Sequence, residues 1–424
     1  MFKDERPAHF WIYCTFLTLL AGGCQPASAP SPVITAAPPK IDYAAPLPEG
    51  QVALRELTPA EYPDFAAGLM SVDASAMKRS IDNSLAYFAR KGSQKAYPYL
   101  NITHDRAVAT LRAFRALLDQ SPFTGTSQDL NRLIAERFAV YASVGAPSPD
   151  GRGFTGEVLF TGYFTPTYDA SLTRGGAYQW PIYRRPADLI TDETGDHAAR
   201  KTDAGQVPYF TRQQIESEHQ LDGQELAWLA TRWNAYVVTV QGSGRLRLAD
   251  GRIMEVGYAG TNGYAYSSPG RAMVADGLIS KDQLSFETMH QYFDANPTAM
   301  DKYLWQNQRT TFFTETRGGP FGAINVPVTP FATIATDKSV YPAGLLAFVD
   351  APTSYAGRNL NGLFVLDQDR GGAIRSAGRC DIYMGIGDNA EQMSGHQLSP
   401  GRLYYFAIRP ELMSQYLNSA ARIE

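Results

Sequence analysis

The chain has 424 residues, 44% of them hydrophobic, enough for two or three domains that each bury a core, so disorder is not the default. Its 38 Lys and Arg against 42 Asp and Glu leave a formal charge of -4, without the basic excess that a nucleic-acid footprint needs. The ligand that fits this balance is uncharged or of mixed charge, and no nucleic acid is expected.

Lys3 and Arg6 precede an apolar run at 10–20, followed by Ala21-Gly-Gly and Cys24. The run is short for a bilayer span and reads as a secretory signal over 1–24. Small residues before a cysteine are the pattern of a bacterial lipoprotein cleavage site, which makes the Cys24 thiol the candidate lipid acceptor. Ala21 stands where that pattern usually has Leu, and Asp4 and Glu5 dilute the positive start, so an ordinary cleaved signal or a short anchor stays open. Gln25 after Cys24, rather than Asp, is the pattern of lipoproteins sent to the outer membrane. The expected location is its periplasmic side, with the membrane engaged through lipid.

Residues 25–50 carry seven prolines, Pro26 to Pro48, among Ala and Ser and read as a tether. From Thr103 the spacing turns helical: Val108, Leu111, Phe114, Leu117 and Leu118 share a face, and Leu130, Ile134, Phe138 and Tyr141 repeat it after Ser127. At Phe160-Thr-Gly-Tyr-Phe-Thr-Pro166 the period shortens, and short strands and turns with few helices follow. The clearest hairpin is expected over 236–256, where Arg245 and Arg247 alternate with Leu246 and Leu248, and Asp250-Gly251 supplies the positive φ angles of a tight turn. A helical interval capped by Ser280 and Gln283 runs past Met289 and Tyr292 to Pro297. Strands resume at 345–349, 363–366 and 403–408. The expected class is mainly β with N-terminal helices (α+β), without an internal repeat.

Cys380 is the only cysteine of the folded part, so it has no disulfide partner there. With no histidine or basic cluster beside it in sequence, it reads as a packed, inert thiol.

The most informative run lies near the C-terminus: Leu366-Asp-Gln-Asp-Arg-Gly-Gly-Ala-Ile-Arg-Ser-Ala-Gly-Arg-Cys-Asp-Ile-Tyr-Met-Gly-Ile-Gly387. Asp369 and Asp381 lie on either side of the Gly371-Gly372 turn. The run resembles the C-terminal signature of the membrane-bound lytic murein transglycosylase A family, a Gln-Asp-x-Gly-Gly-Ala-Ile stretch followed by Asp-x-x-x-Gly. Further blocks extend the resemblance over roughly 87–410: Phe160-Thr-Gly-Tyr-Phe-Thr-Pro166, Pro181-Ile-Tyr-Arg184, Gln241-Gly-Ser-Gly-Arg245, Tyr258-Ala-Gly-Thr-Asn-Gly-Tyr-Ala-Tyr266 and Gly319-Pro-Phe-Gly-Ala-Ile-Asn-Val-Pro-Val-Thr329. The chain departs from the pattern where Thr314 and Glu315, rather than a basic residue, follow Phe312-Phe313.

That resemblance implies an enzyme that cleaves the MurNAc-GlcNAc β-1,4 bond of peptidoglycan glycan strands and leaves 1,6-anhydro-MurNAc ends. It implies a double-psi β-barrel domain from 51–166 and 318–424, an inserted second β domain at 167–317, and a groove between them for the glycan. Asp381 takes the role of acid and then base, Asp369 tunes or orients it, and Thr161 lies near the catalytic carboxyl. Thr161, Tyr163, Gln241, Ser243, Asn262 and Tyr266 are the candidate substrate contacts. No cofactor is implied.

The chemistry explains why carboxyl groups matter. A glycosidic oxygen leaves poorly unless it is protonated, and an aspartate with a pKa of about 3.9 is almost wholly ionised at neutral pH. Its pKa must rise, through burial or through a neighbouring carboxylate. A hydrolase needs a second carboxylate, whereas a lytic enzyme takes the C6 hydroxyl of the same sugar as nucleophile. Two other readings therefore stay open: a polysaccharide hydrolase that uses Asp369 and Asp381 as a pair, and a non-catalytic peptidoglycan-binding protein. Nucleotide and metal chemistry find no footing. The Gly385-Ile-Gly-Asp-Asn-Ala390 string lies too near the C-terminus for a βαβ unit, and the six histidines are scattered without zinc-ligand spacing.

Overall fold

The structure, a computed structural model, describes residues 40–192, 197–355 and 358–417. The signal over 1–24 with Cys24, and most of the tether, lie outside the described residues. The tether reading fails at its end: the Tyr43 hydroxyl donates to the Glu157 carboxylate, which fastens this stretch to the body.

Three of the N-terminal helices begin at side chains that cap them. Asp73 accepts from the Ala76 amide ahead of Ala74–Phe88, Thr103 from the Arg106 amide ahead of His104–Leu117, and Thr126 from the Asp129 amide ahead of Ser127–Arg137. Each such cap contributes about 1 kcal/mol. The expected continuation of the last helix through Phe138 and Tyr141 is wrong, because Phe138–Ser143 is a strand. All of its residues but Ala142 are buried, so both faces are apolar and the strand shows no alternation to separate it from a helix.

Eight strands form the larger sheet, in the order Leu54–Glu56, Phe138–Ser143, Leu398–Ile408, Leu346–Tyr355, Arg358–Asp369, Thr333–Ala335, Arg379–Ile386 and Val158–Thr165. Val158–Thr165 also pairs with Leu398–Ile408, which closes the last six of these strands into a ring. The N-terminal helices pack on it through Phe65, whose ring centroid lies 5.1 Å from Phe348 and 5.2 Å from Phe406. Burying an aromatic side chain in such a cluster is worth roughly 1.5–3 kcal/mol. The buried Gln368 amide fixes the helix Ala74–Phe88 to the ring, accepting from Ser80 and Thr333 and donating to the Ser80 carbonyl and Ser84.

At Pro166 the chain leaves this sheet. Thr167–Ser171 belongs to a second sheet, ordered Thr311–Thr316, Ile253–Thr261, Gly244–Leu248, Thr167–Ser171, Glu225–Leu229 and Trp180–Tyr183. A bridge between Arg184 and Phe313 links its two edges. The hairpin expected over 236–256 is half right. Gly244–Leu248 and Ile253–Thr261 pair antiparallel, but Arg232–Gln241 is a helix. Thr231 caps it, and Gly242 ends it at φ +76°, a left-handed conformation that glycine adopts without strain. Its residues 235–239 are all buried, so the run Tyr236-Val-Val-Thr-Val reads as a strand in sequence while tertiary packing makes it helix. The helix Phe286–Ala295 is capped by Ser285 with Thr288 rather than by Ser280 with Gln283. The segment 167–317 is thus not purely β. Its helices enter the main buried cluster through Trp233 and Phe286, the latter against Phe164 of the larger sheet, whereas its strands enclose a separate core around Leu229, Val238, Leu246 and Phe313.

Candidate active site

The two aspartates meet across the closed ring. Ala335, on the short strand Thr333–Ala335, pairs with Asp369 on one side and with Asp381 on the other, and Asp381 in turn pairs with Thr161. Two strand spacings put the aspartate Cα atoms roughly 9–10 Å apart.

Asp381 accepts a hydrogen bond from the Thr161 hydroxyl. That hydroxyl has one proton, and it also accepts from Arg379 Nη2 at 3.1 Å, so its proton is left for the carboxylate. Burial pushes the Asp381 carboxyl above the usual aspartate range, against the opposing pull of the Arg379 guanidinium and of the Thr161 hydroxyl. Of the two causes the sequence left open, burial therefore operates and a neighbouring carboxylate does not. No hydrogen bond joins Asp369 to Asp381 among the described residues.

Asp369 is held differently. Its Oδ2 accepts from the Tyr163 hydroxyl at 2.8 Å, and its Oδ1 accepts from the amides of Arg370 at 2.8 Å and Ala323 at 2.9 Å. Burial raises this carboxyl too, opposed by those three donors. Tyr163 lies two residues beyond Thr161, on the same face of the strand, so one strand supplies a donor to each aspartate. Burial and the nearby Asp369 raise the Tyr163 phenol well above its ordinary range, which keeps it protonated and a donor.

Gly162, between these two donors, has its own reason. A side chain there would bring Cβ to 2.8 Å from the Ser394 Cα, because the helix Asp388–His396 packs across the strand. The Thr-Gly-Tyr sequence thus carries two donors on one face and a close helix contact on the other.

The remaining candidates separate. Gln241 Oε1 accepts from the Phe164 amide at 3.2 Å, and Ser243 Oγ stands 3.3 Å from Thr165 Oγ1, so the end of the helix Arg232–Gln241 is tied to the strand that bears Thr161 and Tyr163. Tyr266 is partly buried, and burial raises its phenol above the ordinary range against the opposing pull of Ser268 and Tyr236. Asn262 does not belong to the site. It is buried, its amide nitrogen donates to the carbonyls of Phe210 at 2.9 Å and Gln308 at 2.8 Å, and its oxygen accepts from the Thr310 amide at 2.9 Å. These bonds brace the turn after Ile253–Thr261 and occupy the side chain.

Sequence reasoning missed Arg379, although its position two residues before Asp381 on one strand is a legible signal that the two share a face. It also missed Asp367, which is fully buried and bound by Lys338, Thr336 and Tyr405 as part of the core. Cys380 points into that core, and burial pushes its thiol well above the ordinary range, as an inert cysteine requires.

Comparison with known proteins bears directly on this arrangement. A family model described as the MltA specific insert domain matches residues 159–314, and one described as the 3D domain matches 332–407. The membrane-bound lytic murein transglycosylase A of Escherichia coli K12 is 31% identical over 268 residues, which cover 62% of this chain and 68% of that protein. This chain belongs to the membrane-bound lytic murein transglycosylase A family. Membership makes it an enzyme of the peptidoglycan-cleaving lytic class. The Vibrio cholerae relative of the same name is 30% identical over 260 residues, covering 59% of this chain and 65% of its own. The fold is shared with a membrane-bound lytic murein transglycosylase from Agrobacterium tumefaciens (TM-score 0.68, 23% identity, 86% of this chain and 99% of that one). It is shared as well with the Escherichia coli family member crystallised with bound chitohexaose (TM-score 0.63, 21% identity, 88% of this chain and 100% of that one).

Proposed function

We propose that this enzyme cleaves the MurNAc-GlcNAc β-1,4 bond of peptidoglycan with Asp381 alone as acid and then base, and leaves 1,6-anhydro-MurNAc ends. One observation carries the reading: Asp381 is a carboxyl raised by burial and held by a single hydroxyl, free to give up a proton and take it back. Protonated Asp381 donates to the glycosidic oxygen as the bond to C1 breaks. The resulting carboxylate then accepts the proton of the C6 hydroxyl of the same sugar as that oxygen closes on C1. The closing step is intramolecular, so positioning replaces the encounter with water. The Thr161 hydroxyl holds the carboxylate in place between the two proton transfers.

Asp369 takes a fixed, supporting part. Its three donors immobilise it and oppose the burial that raises its carboxyl. Its place two strands from Asp381 suits a role in orienting Tyr163 and the ring rather than in attack.

The division into a double-psi barrel from 51–166 and 318–424 and an insert at 167–317, with the glycan between them, remains part of this reading. The separate sheets on either side of Pro166 and the chitohexaose bound by the Escherichia coli relative support it. Gln241, Ser243 and Tyr266, where the two parts meet, then contact the sugar. Attachment through lipid on Cys24 to the periplasmic side of the outer membrane accords with the relatives' membrane-bound description. Among the described residues no helix is long and apolar enough to cross a membrane.

Mass analysis of digested sacculi tests the reaction. Anhydro ends lighter by one water than hydrolysed ends are expected, and hydrolysed ends would favour the two-carboxylate hydrolase instead.

A further inference from the structure

A cavity of about 960 Å³ opens on the second sheet, in the segment 167–317. Its lining includes Leu226, Leu248, Met254 and Phe313, buried members of that sheet's core, so the floor is apolar. Leu172 and Ile253, at 50% and 41% exposure, add open apolar surface at the same place. Above this floor stand cations with little to hold them. No hydrogen bond or ion pair among the described residues engages the guanidinium of Arg184 or of Arg317. The Arg245 Nε is buried without a hydrogen-bond partner, 3.9 Å from the Glu255 carboxylate. A buried N–H left unpaired costs free energy until an acceptor reaches it.

The lining defines the chemistry of the occupant. Three loosely held guanidinium groups call for carboxylates, which arginine engages through paired N–H donors. Glu255 and Glu315 stand among them, so a dense polyanion is repelled while a ligand carrying an amine beside its carboxylates is accommodated. The apolar floor takes small aliphatic groups. A short peptide with carboxylates, an amine and methyl side chains meets all three demands.

The cavity also lies within reach of the aspartates. Gly318 lines it, and five residues later the Ala323 amide donates to Asp369, a stretch of chain that spans at most about 18 Å. We propose that this cavity binds a carboxylate-bearing peptide branch of the strand whose glycan lies at Asp381, and so selects peptide-bearing over peptide-free peptidoglycan. The inference rests on the lytic reading above.

The test compares intact strands with strands stripped of their peptides by an amidase, using the full chain and its Arg184→Gln/Arg317→Gln double variant. Both residues are exposed, so the substitutions leave the folded core alone. The proposal expects the wild-type preference for peptide-bearing strands, read as a ratio of kcat/KM, to fall about tenfold in the variant, the scale of two partly exposed charge contacts. An unchanged ratio, or equal losses on both substrates, overturns it. Failure of the lytic reading appears separately, as an absence of anhydro ends with the wild-type protein on either substrate. Equilibrium binding of the two kinds of strand to wild type and variant then still decides the cavity's role.

Discussion

Asp369 and Asp381 pair with the same alanine from opposite sides, and burial raises both carboxyls, yet their surroundings differ. Three donors, two of them backbone amides, surround Asp369. Asp381 has one hydroxyl and the field of Arg379. Burial sets the cost of charge at each site, and the number of donors sets how firmly the charged form is held. A group that must exchange a proton twice per turnover needs the first without much of the second.

The largest effect expected of this contrast is at Asp381. Asp381→Asn keeps the shape and removes the titrating group, so turnover on sacculi should fall by roughly 10²–10⁴ while glycan binding persists. Near-normal turnover would remove Asp381 from the chemistry. Asp369→Asn alters the partner of the Tyr163 hydroxyl without removing the acid, and its cost should stay below about a hundredfold, the scale of a small misplacement. A loss as large as that of Asp381→Asn would make the two carboxylates a working pair.

Asn262→Ala separates structure from site. It removes three hydrogen bonds, one of them from the buried Thr310 amide, so thermal or denaturant unfolding should show a loss of about 1–3 kcal/mol, with little change in the activity of the fraction that stays folded. A selective fall in kcat or a rise in KM would return Asn262 to the glycan site.

The smallest effect is a shift in pH dependence. The Arg379 guanidinium favours the charged form of Asp381 and lowers its pKa. Arg379→Gln lets burial act with less opposition, so the pKa rises. The acid works only while protonated, so activity that falls as pH rises through this pKa should persist to higher pH in the variant. A limb moved to lower pH would contradict the assigned field.

Much of this was legible in sequence, for physical reasons. Asp381, Asp369, Thr161 and Tyr163 stand in short glycine-flanked runs whose residue types are set by the site, and the structure brings all four together. Asn262 and Tyr266 came from a single run of the same appearance, but a turn bracing its own backbone uses the same polar residues as a binding loop. The helix over 232–241 was misread because burial on nearly every side erases the helical period. The boundary at Arg137 was misread because a strand buried on both faces has no alternation. The ring closure, by Val158–Thr165 against Leu398–Ile408, joins residues more than two hundred positions apart and leaves no local trace.

The central claim is that one buried, lightly held aspartate does all the proton transfer. Digesting sacculi in isotopically labelled water with the wild type, Asp381→Asn and Asp369→Asn tests it most directly, with the mass of the new muramoyl ends as the readout. The account predicts unlabelled anhydro ends from the wild type, the same ends formed more slowly by Asp369→Asn, and next to none from Asp381→Asn. Labelled reducing ends from the wild type, or anhydro ends made freely by Asp381→Asn, would contradict it.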